Sequence, residues 1–143
     1  MAKKSKPDFV PEAEQPYKIP DNWRWTTLDT VAEWGSGGTP SRKIPEYYGG
    51  EIPWVKTGEL DDGYIFDTEE KITDDAVAHS SAKLYPPNTV LIAMYGATIG
   101  KVAMLGISAT TNQACACAKC GHFLLPLYLF YYLRLEKHQF PSF

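Results

Sequence analysis

Between Ile52 and Lys101 the chain sets two apolar, β-prone runs among polar segments broken by glycine, and this pattern constrains the fold more than any other. The first run is Ile52-Pro53-Trp54-Val55-Lys56-Thr57-Gly58-Glu59-Leu60, followed by Asp61-Asp62-Gly63. The second is Thr89-Val90-Leu91-Ile92-Ala93-Met94-Tyr95, then Gly96-Ala97-Thr98-Ile99-Gly100-Lys101. Such runs form short buried strands whose connecting loops face a partner. No catalytic constellation lies in the stretch, so it reads as a binding surface.

A chain of 143 residues supports one domain with a real core, and its 44% hydrophobic content suits a globular protein. No run reaches the roughly 20 apolar residues a membrane helix needs, and the basic start Met1-Ala2-Lys3-Lys4 has no apolar segment behind it. The cytoplasm is therefore the expected compartment, with no membrane partner. Net charge is −3 but uneven: residues 1–75 carry nine Lys/Arg against sixteen Asp/Glu, and residues 76–143 carry five against one.

Residues 1–20, with four lysines and four prolines, are expected to be a disordered or extended tail. Trp23 and Trp25 read as core aromatics. Thr26 or Thr27 caps a short helix through Leu28, Val31 and Ala32. The loop Trp34-Gly35-Ser36-Gly37-Gly38-Thr39-Pro40-Ser41-Arg42-Lys43 suits either phosphate binding through main-chain amides or a tight exit from a strand. Tyr47–Gly50 reads as a turn into the Ile52 strand. Asp61-Asp62-Gly63 reads as a hairpin turn joining Trp54–Leu60 to Tyr64–Asp67. Glu69, Glu70, Asp74 and Asp75 read as a solvated acidic face leading into a helix capped by Thr73 and ending near Ser80.

Pro86-Pro87-Asn88 is a turn before a strand over Thr89–Tyr95, and Lys101–Leu105 returns after the Gly96–Gly100 turn. That turn is not a nucleotide loop: three residues separate its glycines where four are needed, and Val102 stands where Ser or Thr should ligate magnesium. Asn112 and Gln113 are side-chain types that pair with adenine in a major groove, and equally a polar strand end. Cys115-Ala116-Cys117-Ala118-Lys119-Cys120-Gly121-His122 offers four soft ligands crowded into eight residues, or a small-residue buried strand. Leu124–Lys137 reads as a helix with Pro126 early and apolar residues nearly all round, implying burial on more than one side.

Taken in order, Gly37-Gly38-Thr39-Pro40-Ser41, Tyr48-Gly49-Gly50-Glu51-Ile52-Pro53-Trp54-Val55, Lys71-Ile72-Thr73, Ser80-Ser81-Ala82-Lys83-Leu84, Thr89–Ala93, Ala97–Ala103, Thr111-Asn112-Gln113-Ala114 and Leu129–Leu133 form a series. It resembles the target recognition domain of the DNA specificity subunit of type I restriction-modification systems, from about Trp23 to Leu135. The resemblance implies an α+β fold: a single mixed α/β globular recognition domain of short strands and hairpins, followed by the start of a spacer helix. On that basis residues 1–20 are a flexible tail, 21–124 the recognition domain and 125–143 a truncated spacer helix, matched by Leu127–Lys137. The family's full subunit carries two such domains and two spacer helices.

The resemblance also implies a non-catalytic role. The partners are double-stranded DNA, the methyltransferase and restriction subunits, and a second half-subunit of the same type. This chain is expected to bind no cofactor itself; S-adenosylmethionine belongs to the modification subunit, and ATP and Mg²⁺ to the restriction subunit. Phosphate contacts are expected from Arg42, Lys43, Lys56, Lys83 and Lys101, and base-edge contacts from Thr57, Tyr95, Thr98, Asn112 and Gln113. Gly37, Gly38, Thr39, Pro40 and Trp54 are expected to hold the scaffold, and Gly58–Ile72 is an alternative home for base readers. Two rival readings are a metal-binding protein using Cys115, Cys117, Cys120 and His122, and a fragment that binds only protein.

Overall fold

The computed structural model describes residues 9–137. Its first α-helical turn, α1 (Leu28–Val31), starts at Thr27, whose hydroxyl accepts the Thr30 amide at 3.3 Å. This satisfies one of the amides that a helix start leaves open. There follow β1 (Ala32–Ser36), β2 (Tyr48–Val55), β3 (Gly63–Ile65), β4 (Glu70–Ile72), α2 (Asp74–Ala78), β5 (Val90–Ala93), β6 (Val102–Leu105), β7 (Thr110–Thr111), β8 (Cys115–Cys120) and α3 (Pro126–Glu136). Thr73 caps α2 as expected, accepting the Ala76 amide at 3.2 Å.

The strands form two sheets. Five lie in the order β1-β8-β5-β6-β3, antiparallel except for the β6–β3 edge, and three in the order β4-β2-β7, where β2–β7 is parallel. Strand alternation sorts side chains between layers. Leu91 and Ala93 of β5, Ala103 and Leu105 of β6, and Cys115 and Cys117 of β8 join Val55 of β2 in the core between the sheets. Val90, Ile92, Val102, Met104 and Ala118 face the other way, against Leu129, Phe130 and Leu133 of α3. Each of those three helix residues is nearly fully buried, worth about 1.5–3 kcal/mol apiece. Burial on both faces is why β5 and β6 read as unbroken apolar runs rather than alternating ones. Beyond the smaller sheet, Trp54 and Ile72 pack with Ala76 of α2 and Ala82. The layers are therefore α2, three strands, five strands, α3. This is the mixed architecture of short strands expected from the sequence.

The β5–β6 hairpin forms around the Gly96–Gly100 turn, with Gly100 N donating to Ala93 O at 2.9 Å. Asp62 does not fold β2 back on β3. Lys56 leaves the strand into a 3₁₀ turn (Thr57–Glu59), held because the Glu59 carboxylate accepts the Lys56 and Glu69 amides, each at 2.8 Å. Asp62, at φ 65°, then docks on β6: its amide donates to Val102 O at 2.8 Å and its Oδ1 accepts the Val102 amide at 3.1 Å. The expected hairpin becomes a crossover between sheets.

Trp34–Ser36, read as loop, is strand β1, because its backbone finds partners in β8 from Ala32↔Cys120 to Ser36↔Ala116. Tyr47–Gly50 is not a turn before the strand; β2 already starts at Tyr48, and a bulge sets both Tyr48 and Ile52 against Ile72. Glu70 opens β4 rather than a solvated helix entry. The two early tryptophans are not core: Trp23 is 52% exposed, and Trp25 packs edge-on against Tyr17 at 4.9 Å while donating to the Tyr17 carbonyl at 3.1 Å. That contact, with Val10 N donating to Trp25 O at 2.8 Å, ties part of the lead-in to the stretch before α1. Residues 9–20, expected to be disordered or extended, carry one 3₁₀ turn (Glu12–Glu14), and residues 1–8 lie outside the described residues. α3 is buried on one side, leaving Leu127, Tyr128, Tyr131 and Leu135 exposed among the described residues. The rest of the expected 125–143 segment, from 138 onward, lies outside them.

Candidate nucleic-acid interface

The candidate readers gather because strands from different parts of the chain end side by side. β2 and β7 run parallel, with Val55 beside Thr111, so Lys56 and Thr57 leave one strand where Asn112 and Gln113 leave the other. The Asn112 amide donates to Val55 O at 2.9 Å. The next neighbour is the β5–β6 connection, which carries Tyr95, Thr98 and Lys101 and joins through Met94 N to Ala114 O at 2.9 Å. The Gly-rich loop closes the group: Gly38 N donates to Thr111 O at 2.9 Å, and the Thr39 hydroxyl donates to Gln113 Oε1. Tyr95, Lys101 and Gln113 are exposed, and Thr57, Thr98 and Asn112 partly so.

Two glycines fix that loop. A Cβ on Gly37 would stand 2.1 Å from Thr111 O, and one on Gly38 2.5 Å from the Ser81 carbonyl carbon. Both are closer than any side chain permits, so the sequence places glycine where backbones touch. The buried Trp54 indole donates Nε1–H to Gly38 O at 3.1 Å. The scaffold role expected of Gly37, Gly38 and Trp54 follows from these contacts. As for the two uses open to this loop, its amide at Gly38 is already taken by Thr111.

The cations divide. Arg42 grips Glu70 with both nitrogens, Nη1 to Oε1 at 2.7 Å and Nη2 to Oε2 at 3.0 Å, while its guanidinium lies 4.2 Å from the Tyr48 ring centre and 5.2 Å from that of Trp54. Lys56 Nζ reaches Glu70 Oε2 at 2.9 Å and Glu69 Oε2 at 3.4 Å. Hydrogen bonds from Arg42 and then Lys56 hold the Glu70 carboxyl down at about 2. In return Glu70 raises the pKa values of Arg42 and Lys56. Lys43 is exposed beside them. Lys101 lies near Asp62. Burial pushes the Asp62 carboxyl up, but hydrogen bonds from Lys137 and the Val102 amide and the charge of Lys101 outweigh it, leaving a lowered pKa. Lys83 stands apart from this group, lining a cavity with Glu33, Trp34 and Lys119.

Sequence reasoning missed Glu70 and Tyr48 as members of this surface. Arg42 and Glu70 are 28 positions apart, so no local spacing could join them. The alternation of Glu70-Lys71-Ile72, with one apolar residue, was too short to announce a strand.

The Gly96–Gly100 turn sits between two antiparallel strands, not between a strand and a helix, so it lacks the setting of a phosphate loop. The rival metal reading fails on register. Cys115 and Cys117 point into the core between the sheets, Cys120 packs on the α3 side, and His122 is exposed beyond the strand. The donors diverge, and the described residues hold no group of three or more His, Cys, Asp or Glu placed for a metal ion. No helix of the described residues is long and apolar enough to cross a membrane.

A family model described as type I restriction modification DNA specificity domain matches residues 20–143. The chain is 38% identical over 93 residues to the type I restriction enzyme EcoR124I/EcoR124II specificity subunit of Escherichia coli, across 62% of this chain and 23% of that one. It is 39% identical over 99 residues to the MjaIX specificity subunit of Methanocaldococcus jannaschii, across 67% and 23%. Among solved structures, the HsdS subunit from Thermoanaerobacter tengcongensis superposes with a TM-score of 0.71 at 20% identity, over 89% of this chain and 31% of that one. The type I S subunit from M. genitalium gives 0.58 at 12%, over 81% and 27%. These two structures share the fold, and the chain spans about a quarter of the length of the relatives it matches.

Proposed function

Because the chain belongs to the type I restriction modification DNA specificity domain family, we propose that it is one target recognition domain that reads half of a bipartite site in duplex DNA. The observation that carries this reading is the convergence of three loops at the ends of β2, β7 and β5. They present Thr57, Tyr95, Thr98, Asn112 and Gln113 as base-edge groups. Arg42, Lys43, Lys56 and Lys101 flank them for phosphate, with Lys83 as a more distant cation. Phosphate contacts would set register and base contacts would set sequence.

The chain carries no chemistry of its own in this reading. A methyltransferase subunit supplies S-adenosylmethionine and a restriction subunit supplies ATP and Mg²⁺, in the cytoplasm. α3 starts the spacer, and its exposed residues Leu127, Tyr128, Tyr131 and Leu135 suit contact with a second half-subunit or with the methyltransferase. The test is to express the chain with its neighbouring modification subunit, recover the complex and map methylated sites in cells. The expected result is methylation at a single bipartite motif that changes when the Asn112–Gln113 and Tyr95–Thr98 loops are exchanged. Failure to bind any duplex at low salt would instead favour a purely protein-binding fragment.

A further inference from the structure

The group formed by Arg42, Lys56 and Glu70 has a property that ordinary surface ion pairs lack. Two cations from separate segments, the loop after Pro40 and the end of β2, converge on one carboxylate at 2.7–3.0 Å. The contact from Arg42 is a two-pronged fork, the geometry that guanidinium groups also offer to phosphate. The guanidinium rests on the Tyr48 and Trp54 rings, so its place does not depend on Glu70 alone. Trp54 is in turn fixed to Gly38, next to Thr39 and Gln113. Glu70 can leave without undoing its strand: its side chain is partly exposed, and its main chain stays held, where Glu70 O accepts the Thr68 hydroxyl at 2.6 Å.

We propose that Arg42 and Lys56 form a phosphodiester site whose occupant in the unbound protein is the Glu70 carboxylate. A backbone phosphate of the duplex enters by displacing Glu70, which swings into solvent. This rests on the DNA-reading function proposed above. It adds that the protein carries its own competitor for DNA, which weakens binding to arbitrary sequence. Only a duplex that also satisfies the neighbouring base-reading loops then compensates for the exchange.

The test uses the full chain, as wild type and as Glu70→Gln, titrated with labelled duplex at several salt concentrations. Removing the internal anion is expected to tighten binding at fixed salt by about tenfold while leaving the slope of log K against log salt nearly unchanged, since the same phosphate is neutralised in both chains. Weaker or unchanged binding, or a slope steeper by about 0.9 from a phosphate that wild type does not admit, in a variant that still unfolds cooperatively, overturns the proposal and makes Glu70 a mere staple. In case Glu70→Gln does not fold, the Glu70 carboxyl carbon resonance is followed in the wild-type chain. It must move toward a free carboxylate when duplex is added, and a stationary resonance with duplex bound also overturns the proposal. Inorganic pyrophosphate separates the two ideas. If it shifts the Arg42 Nε–H resonance in Glu70→Gln but not in wild type while no duplex binds either chain, the anion site stands and the DNA-reading function falls. If it shifts neither and duplex binds both alike, the site falls and the reading function stands.

Discussion

The Trp54 indole and the Gly38 carbonyl, sixteen residues apart, are joined by a 3.1 Å hydrogen bond inside the protein. Trp54 is 2% exposed, so Trp54→Phe would keep most of the apolar filling but leave the Gly38 oxygen without its donor. The expected loss is about 1–3 kcal/mol for the orphaned acceptor, measured by urea denaturation. Amide exchange across Gly38–Lys43 should quicken even where the variant remains folded.

Gly37→Ala tests the closest backbone approach near the loops. Its new methyl would stand 2.1 Å from Thr111 O and 2.5 Å from Asn112 O, and neither carbonyl can move without breaking the β2–β7 end. Overpacking of this kind costs about 1–3 kcal/mol or more. Gly58→Ala, with nothing within 4 Å of its Cβ, serves as the control and is expected to leave the thermal midpoint nearly unchanged.

Acid should weaken the chain through Glu70. Its folded carboxyl sits at about 2 against an ordinary 4.5, lowered first by Arg42 and then by Lys56. The folded state thus favours the ionised form, and this stabilisation is complete above pH 4.5 and fades as pH falls toward 2. The side chains involved are partly solvated, which limits the effect to about 1 kcal/mol. Wild type and Glu70→Gln should therefore differ in stability near neutrality and converge near pH 2. Parallel curves throughout would contradict the assignment.

The three cysteines should respond unequally to a thiol reagent. Burial pushes the Cys115 thiol up to about 12 and the Cys117 thiol up to about 11, the charge of Cys117 adding to the first. Cys120 is also raised by burial but is only half-buried. Mild alkylation of the native chain followed by mass spectrometry should therefore modify Cys120 first and reach the other two only on unfolding.

Elements with local causes were legible in the sequence. Thr27 and Thr73 announced their helices by chemistry confined to one turn, and the β5–β6 hairpin announced itself by two apolar runs around a glycine-bounded turn. β1 was hidden because Trp34-Gly35-Ser36 has the composition of a loop and becomes a strand only through pairing with Cys115–Cys120, some 80 residues on. The Asp62 turn was correctly placed but wrongly connected, since its partner is the distant Val102 amide. At the candidate interface the individual cations were visible, but the carboxylate that occupies two of them was not. Long-range charge pairing leaves no periodic trace.

Both sheets are interlaced along the chain. The larger takes β1 and β3 from before residue 79 and β5, β6 and β8 from after it, while the smaller takes β2 and β4 from before and β7 from after. A cut in the exposed stretch near Lys83–Leu84 would consequently strand two incomplete pieces, each with bare ladder edges and half a hydrophobic interior. Mixed together, such pieces should recombine into one body, whereas either alone should clump. Any graft that carries this binding surface to another scaffold must therefore move both arms of the chain as an indivisible cassette.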